Sequence, residues 1–116
     1  MKIREIKKLL SAKVVSGADL LETDVYSACA SDMMSDVLAF VKDQGVLLTG
    51  LVNPQVIRTA EMMDMRCVVL VREKKATDEM IKLAELSDIV LMESELRMYD
   101  ACGNLYTSGL VGTAVN

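Results

Sequence analysis

Hydrophobic patterning along the chain predicts an α/β domain, a mostly parallel β-sheet flanked by helices. Three observations carry that expectation. Short apolar runs alternate with longer segments of helical periodicity. Two of the runs, Val46–Thr49 and Cys67–Val71, are apolar at consecutive positions, the pattern of strands covered on both faces. Between them Asn53-Pro54 opens a helix, so Val46–Val71 (VLLTGLVNPQVIRTAEMMDMRCVVLV) reads as one complete βαβ unit.

The elements follow in order. Ile3, Ile6 and Leu10 recur at helical spacing among Lys2, Arg4, Lys7 and Lys8, which predicts a short amphipathic helix with a solvated basic face. Ala12–Val15 is expected as a short strand closed by a Ser16-Gly17 turn. After the polar stretch Gly17–Thr23, a second strand is expected over Val25–Ala28. Ser31 or Asp32 is placed as the cap of the next helix, because a short side-chain oxygen accepts an orphan backbone N–H there. That helix carries Met33, Met34, Val37, Leu38, Phe40 and Val41 on a wide apolar face, which predicts burial against a sheet. Lys42, Asp43 and Gln44 end it, with Gly45 suited to a left-handed cap.

In the central βαβ unit Asn53 caps the helix, and Pro54 takes the first position, where its missing N–H would be unpaired anyway. Val56, Ile57, Ala60 and Met63 form the buried stripe. Arg72–Lys75 is a charged loop, Thr77 caps a helix reading Met80, Ile81 and Ala84, and Ile89–Met92 is a further strand. Ser94 is placed as the cap of the last helix, with Leu96, Tyr99, Gly103 and Tyr106 on one stripe. A glycine inside a helix is worse than alanine by about 1 kcal/mol, so Gly103 predicts close approach to the sheet or to a second subunit. Residues 1–110 form the domain, and 111–116 is read as a loose tail or an arm onto a partner.

At 116 residues the chain suits one domain, burying roughly two-thirds of the surface its unfolded form exposes. It is 52% hydrophobic yet holds one Phe, no Trp and nine Met, so the core is aliphatic and Met-filled. So apolar a composition in so small a domain favours a buried interface between copies. A net charge of −4 with no basic surface argues against nucleic acid. No apolar stretch approaches the roughly 20 residues of a membrane span, and MKIREIKKLL lacks the apolar core of a signal peptide. Cys29, Cys67 and Cys102 lack CxxC spacing and sit in apolar runs, which suits reduced, buried thiols in a cytoplasmic protein.

The sequence excludes much chemistry. Without histidine it lacks the commonest general base, the usual zinc ligand and both the Ser-His and Cys-His nucleophile arrangements. Three cysteines exclude a Cys₄ metal site. A phosphatase-type loop needs an Arg six residues after its Cys, where this chain has Ser35, Glu73 and Ser108. GxGxxG and the Walker loop are missing, and Leu48-Thr49-Gly50 stands where a phospho-receiver needs an Asp. What remains is positional. The carboxyl ends of the parallel strands offer Ser31 and Asp32, then Thr49, Gly50 and Asn53, then Arg72 and Lys75, then Glu93 and Ser94. Thr49-Gly50 with Asn53-Pro54 is a candidate phosphate cradle, to which Arg72 or Lys75 would add charge. The plainer reading is that Gly50 makes the turn, Asn53 caps and the lysines are solvated. Cys29, at a strand end, is either an activated thiolate or a small core residue. A transferase or hydrolase reading needs Asp32, Glu93 and Cys29 to converge on one pocket.

Taken together, MKIREIKKLLSAKVVSG, VYSACASDMMSDVLAFV, VLLTGLVN, CVVLV and SDIVLMESELRMYDACGNLYTSGL resemble the DRTGG domain family over nearly the full chain. Such domains occur alone and as inserts in certain phosphotransacetylases and CBS-containing pyrophosphatases, and look like the N-terminal domain of HPr kinase/phosphorylase. The resemblance implies a compact α/β domain that dimerises and acts as a regulatory or assembly module with no reaction of its own. Leu51-Val52 and Val71-Arg72-Glu73 stand where the name-giving Asp-Arg and Thr-Gly-Gly would fall, so no binding residue carries over. The expectation is a non-catalytic homodimer without cofactor or metal, sensing a small anionic ligand such as a nucleotide or phosphate. A protein partner encoded nearby completes it.

Overall fold

The computed structural model describes residues 1–40 and 45–112, and its elements follow the predicted alternation. In order they are α1 (Ile3–Leu9), β1 (Lys13–Ser16), β2 (Ser27–Ala30), α2 (Met34–Phe40), β3 (Gly45–Thr49), α3 (Pro54–Met62), β4 (Cys67–Leu70), α4 (Asp78–Leu86), β5 (Val90–Glu93) and α5 (Met98–Thr107). One sheet takes the order β1-β5-β4-β3-β2. β2, β3, β4 and β5 pair in parallel, and β1 joins β5 antiparallel with an irregularity between Val14 and Ser16.

The parallel run advances one strand at a time in a single direction. Right-handed crossovers then place every intervening helix on the same face. α2, α3 and α4 accordingly cover Leu47, Val68, Leu70 and Leu91, while α1 and α5 cover Val46, Leu48, Val69 and Met92 on the other face. β3, β4 and β5 are buried at every position, which explains their unbroken apolar runs.

α3 and α4 form as predicted. Asn53 Oδ1 accepts from Gln55 N–H at 2.8 Å, and Thr77 Oγ1 accepts from Met80 N–H at 3.2 Å. α3 buries Val56, Ile57, Thr59 and Ala60, while Met63 is a half-buried C-cap beyond the stripe.

Three expectations are corrected here. β2 starts at Ser27 rather than Val25, because Val25 is bound elsewhere: its N–H donates to Met1 O at 2.7 Å, and its own O accepts from the Met1 amino group at 2.9 Å. Gly45 opens β3 and caps nothing; a Cβ there would come within 2.9 Å of Ser27 O on the neighbouring strand. Val41, Lys42, Asp43 and Gln44 lie outside the described residues. The broad apolar face expected around α2 is buried in part among the described side chains. Val37 is buried and Met34 packs half-buried against the core, but Met33 is 61% and Leu38 41% exposed, where α2 follows the edge strand and the sheet ends.

The last helix is corrected most. It begins at Met98 with no side-chain cap, and its buried face is Ala101 and Leu105. Tyr99 and Tyr106 stand in solvent, and the space a Cβ would take at Gly103 is empty out to 4 Å. Aliphatic side chains face the sheet, where a phenol would need a hydrogen-bond partner.

Candidate functional site

Four of the residues expected at the strand ends converge. β2 ends at Ala30, and two residues on Asp32 swings its carboxylate across to the end of β3. Oδ1 accepts from Gly50 N–H at 2.7 Å and from Thr49 Oγ1 at 3.1 Å; Oδ2 accepts from Arg72 at 3.0 Å. Thr49 Oγ1 in turn accepts from Leu51 N–H at 3.1 Å, which directs its own proton at Asp32. The sequence offers Asp32, with Ser31, as an alternative cap for α2 and as a candidate at the strand ends. It holds the loops after β2, β3 and β4 together.

Each partner is prepared for this. A Cβ at Gly50 would run into the Arg72 guanidinium, so the glycine makes room for the charge. Arg72 and Glu73 both sit in the left-handed region, at φ 61° and 62°, unusual for side chains of this kind. The turn is secured there by Arg72 N–H to Leu96 O at 2.8 Å and Glu73 N–H to Ser94 O at 3.1 Å. The hydrogen bond from Gly50 N–H, against a smaller desolvation penalty, holds the Asp32 carboxyl below its ordinary value of 3.8, with Arg72 and Thr49 adding to the effect. The Arg72–Asp32 pair has side chains 39% and 44% exposed, so it contributes only about 0–1 kcal/mol to folding.

The remaining candidates do other work. Asn53 caps α3. Ser31 Oγ accepts from Met33 N–H at 3.0 Å within its own turn. Lys75 reaches Glu93 at 3.8 Å and is otherwise in water. Glu93 is buried and accepts from Ala76 N–H at 2.7 Å, a role sequence did not assign it. Ser94, placed as a helix cap, is buried on the opposite face, donating to Leu10 O at 2.7 Å and accepting from Leu96 N–H at 3.2 Å.

The loops after β4 and β5 leave for opposite faces of the sheet, the place where α/β folds open a binding crevice. Here the backbone bonds of Arg72 and Glu73, with the Ala76–Glu93 bond, close it. The residues required for a transferase or hydrolase do not converge. Asp32 is turned to Thr49, Gly50 and Arg72, whereas Glu93, at the end of β5, is turned to Ala76 N–H. Cys29 is no activated thiolate: burial pushes its thiol up, and the nearby Cys102 and Asp36 push it further. Cys29 packs with the α3 face of the sheet and Cys102 with the α5 face; all three cysteines are free.

Sequence also missed an apolar cavity of about 190 Å³ between β2 and α5, lined by Ala28, Leu48, Cys102, Leu105, Tyr106 and Leu110. Among the described residues no cluster of His, Cys, Asp and Glu is arranged to hold a metal, and no helix is long and apolar enough to cross a membrane.

Neither a family model nor a curated protein matches the sequence. A solved structure does match the fold: the CBS and DRTGG domains of the regulatory region of Clostridium perfringens pyrophosphatase, complexed with its activator, diadenosine tetraphosphate. The TM-score is 0.73 at 13% identity, over 92% of this chain and 46% of that one. This chain thus spans under half the length of its structural neighbour. The likeness is to a DRTGG-bearing region, and it does not extend to the comparison with HPr kinase/phosphorylase.

Proposed function

We propose that this chain is a non-catalytic regulatory domain that senses a small anionic ligand, a nucleotide or phosphate, at the carboxyl ends of β2, β3 and β4. One observation carries the reading. The polar groups at these strand ends, Gly50 N–H, Thr49 Oγ1 and the Arg72 guanidinium, converge as donors on a single anion, the Asp32 carboxylate. Such an arrangement of a backbone N–H, a hydroxyl and a guanidinium suits anion recognition. The fold shared with a regulatory region whose structure holds a nucleotide activator supports the same reading. We further propose that the domain works as a homodimer and docks on a protein it regulates.

Thermal unfolding of the purified protein against mononucleotides, diadenosine tetraphosphate and acyl phosphates tests the sensing role. At least one should raise Tm in a saturable way. No stabilisation by any of them would remove the reading. Light scattering tests the homodimer, and a strict monomer at tens of micromolar would overturn it.

A further inference from the structure

The anion cradle is already occupied by the chain itself. Three donors from two loops meet a carboxylate contributed by a third, and that carboxylate belongs to the most weakly held of the three neighbouring segments. Among its described side chains α2 anchors itself through Val37 and the half-buried Met34, while Met33 and Leu38 stand in solvent. Ahead of it, Ser31 N–H donates to Leu48 O at 3.1 Å, and Asp32 makes the side-chain link to β3 and β4. By contrast, the donors are fixed. Gly50 and Thr49 end a fully buried central strand, and the Arg72 turn is pinned to the loop after β5. Asp32 and Arg72 both reach solvent, so a solute can meet the pair directly.

We propose that Asp32 is a resident stand-in for a phosphate group, and that an incoming phosphate displaces it from Gly50 N–H, Thr49 Oγ1 and Arg72, releasing the segment that leads into α2. A phosphate oxygen accepts from the same backbone N–H and hydroxyl, and the guanidinium fork suits phosphate as well as carboxylate. Displacement turns ligand binding into movement of a helix whose apolar side chains, Met33 at its entrance and Leu38 on it, are exposed to a partner. This inference rests on the anion-sensing reading above and names its gate. The resident carboxylate weakens the ligand's apparent affinity by the fraction of time the cradle stands free; nine-tenths occupancy corresponds to about tenfold.

The experiment measures the affinity of inorganic phosphate, and of AMP in parallel, by thermal shift and titration calorimetry. Wild type, Asp32→Ala, Asp32→Asn, Asp32→Ala/Arg72→Ala and the charge control Asp36→Ala are compared. The expected result is phosphate binding about tenfold tighter in Asp32→Ala than in wild type or Asp36→Ala, and lost in the double variant. Binding by AMP but not by inorganic phosphate would assign the site to a nucleotide's phosphate. Hydrogen exchange in residues 31–38 should rise when the wild type binds phosphate. If Asp32→Ala does not fold, Asp32→Asn carries the same comparison. No gain of affinity in either Asp32 variant, for inorganic phosphate or for AMP, overturns the inference. If nucleotides still stabilise the wild type in that case, the sensing role stands at another place; if the variants gain phosphate but no nucleotide stabilises the wild type, the gate stands and the nucleotide reading falls.

Discussion

α2 and α3 are neighbours on one face of the sheet, and each follows a parallel strand. They are held in opposite ways. α3 lies over the interior of the sheet, buries Val56, Ile57, Thr59 and Ala60, and starts from its own cap, Asn53. α2 lies over the edge, buries Val37, and the acidic residue ahead of it, Asp32, bonds across the loops instead of capping. An apolar stripe secures a helix only where there is sheet beneath it. Where the sheet ends, the same kind of stripe is left as surface, and a polar contact between loops takes over the work of positioning.

The largest break in this comparison should come from Ile57→Ala. The side chain is fully buried, so the change should cost about 2–5 kcal/mol in a urea titration, transfer and cavity terms together. Leu38→Ala in α2, the matched change on a half-open face, should stay within about 0.5 kcal/mol; an equal loss at both would mean that α2 is as deeply held as α3.

Two smaller effects sharpen the account of α3. Asn53→Ala should cost about 1 kcal/mol by leaving the Gln55 N–H without its acceptor. Thr59 is buried with its hydroxyl unpartnered among the described residues, so Thr59→Val, which keeps the shape, should raise stability by up to about 1 kcal/mol. Both are read from the denaturation midpoint.

Asp32→Asn should cost under about 1 kcal/mol near neutral pH, since the pair is open to solvent. Its signature is the pH profile. The carboxyl titrates below its ordinary 3.8 in the folded protein, so the stabilisation is present above that pH and is lost as the pH falls through the lowered folded value. Wild type and Asp32→Asn should therefore converge in acid, and a difference that persists there would mean that packing rather than charge sets it.

Most of the interior was legible in the residues. The apolar runs of β3, β4 and β5, the Asn53-Pro54 start of α3 and the Thr77 cap of α4 are local chemistry, decided by side chains within a few positions of one another. The edges were less so. The start of β2 depended on Val25 bonding the chain's first residue, and the face of α5 on which residues fit close to the sheet. For the candidate site, Asp32, Thr49, Gly50 and Arg72 were visible as types in the right loops, but not the bonds among them. Ser31, Lys75 and Ser94 looked equivalent in sequence and proved to be spent elsewhere.

By itself, then, the sequence determined the alternation of strands and helices, the buried parallel centre and the absence of histidine chemistry. Only the tertiary structure decided the strand order, the half-open position of α2 and the meeting of Asp32 with Arg72, 40 residues away. The reason is one of range. Periodicity and caps act within a few residues, whereas a carboxylate settles on whichever donors the folded loops bring nearest.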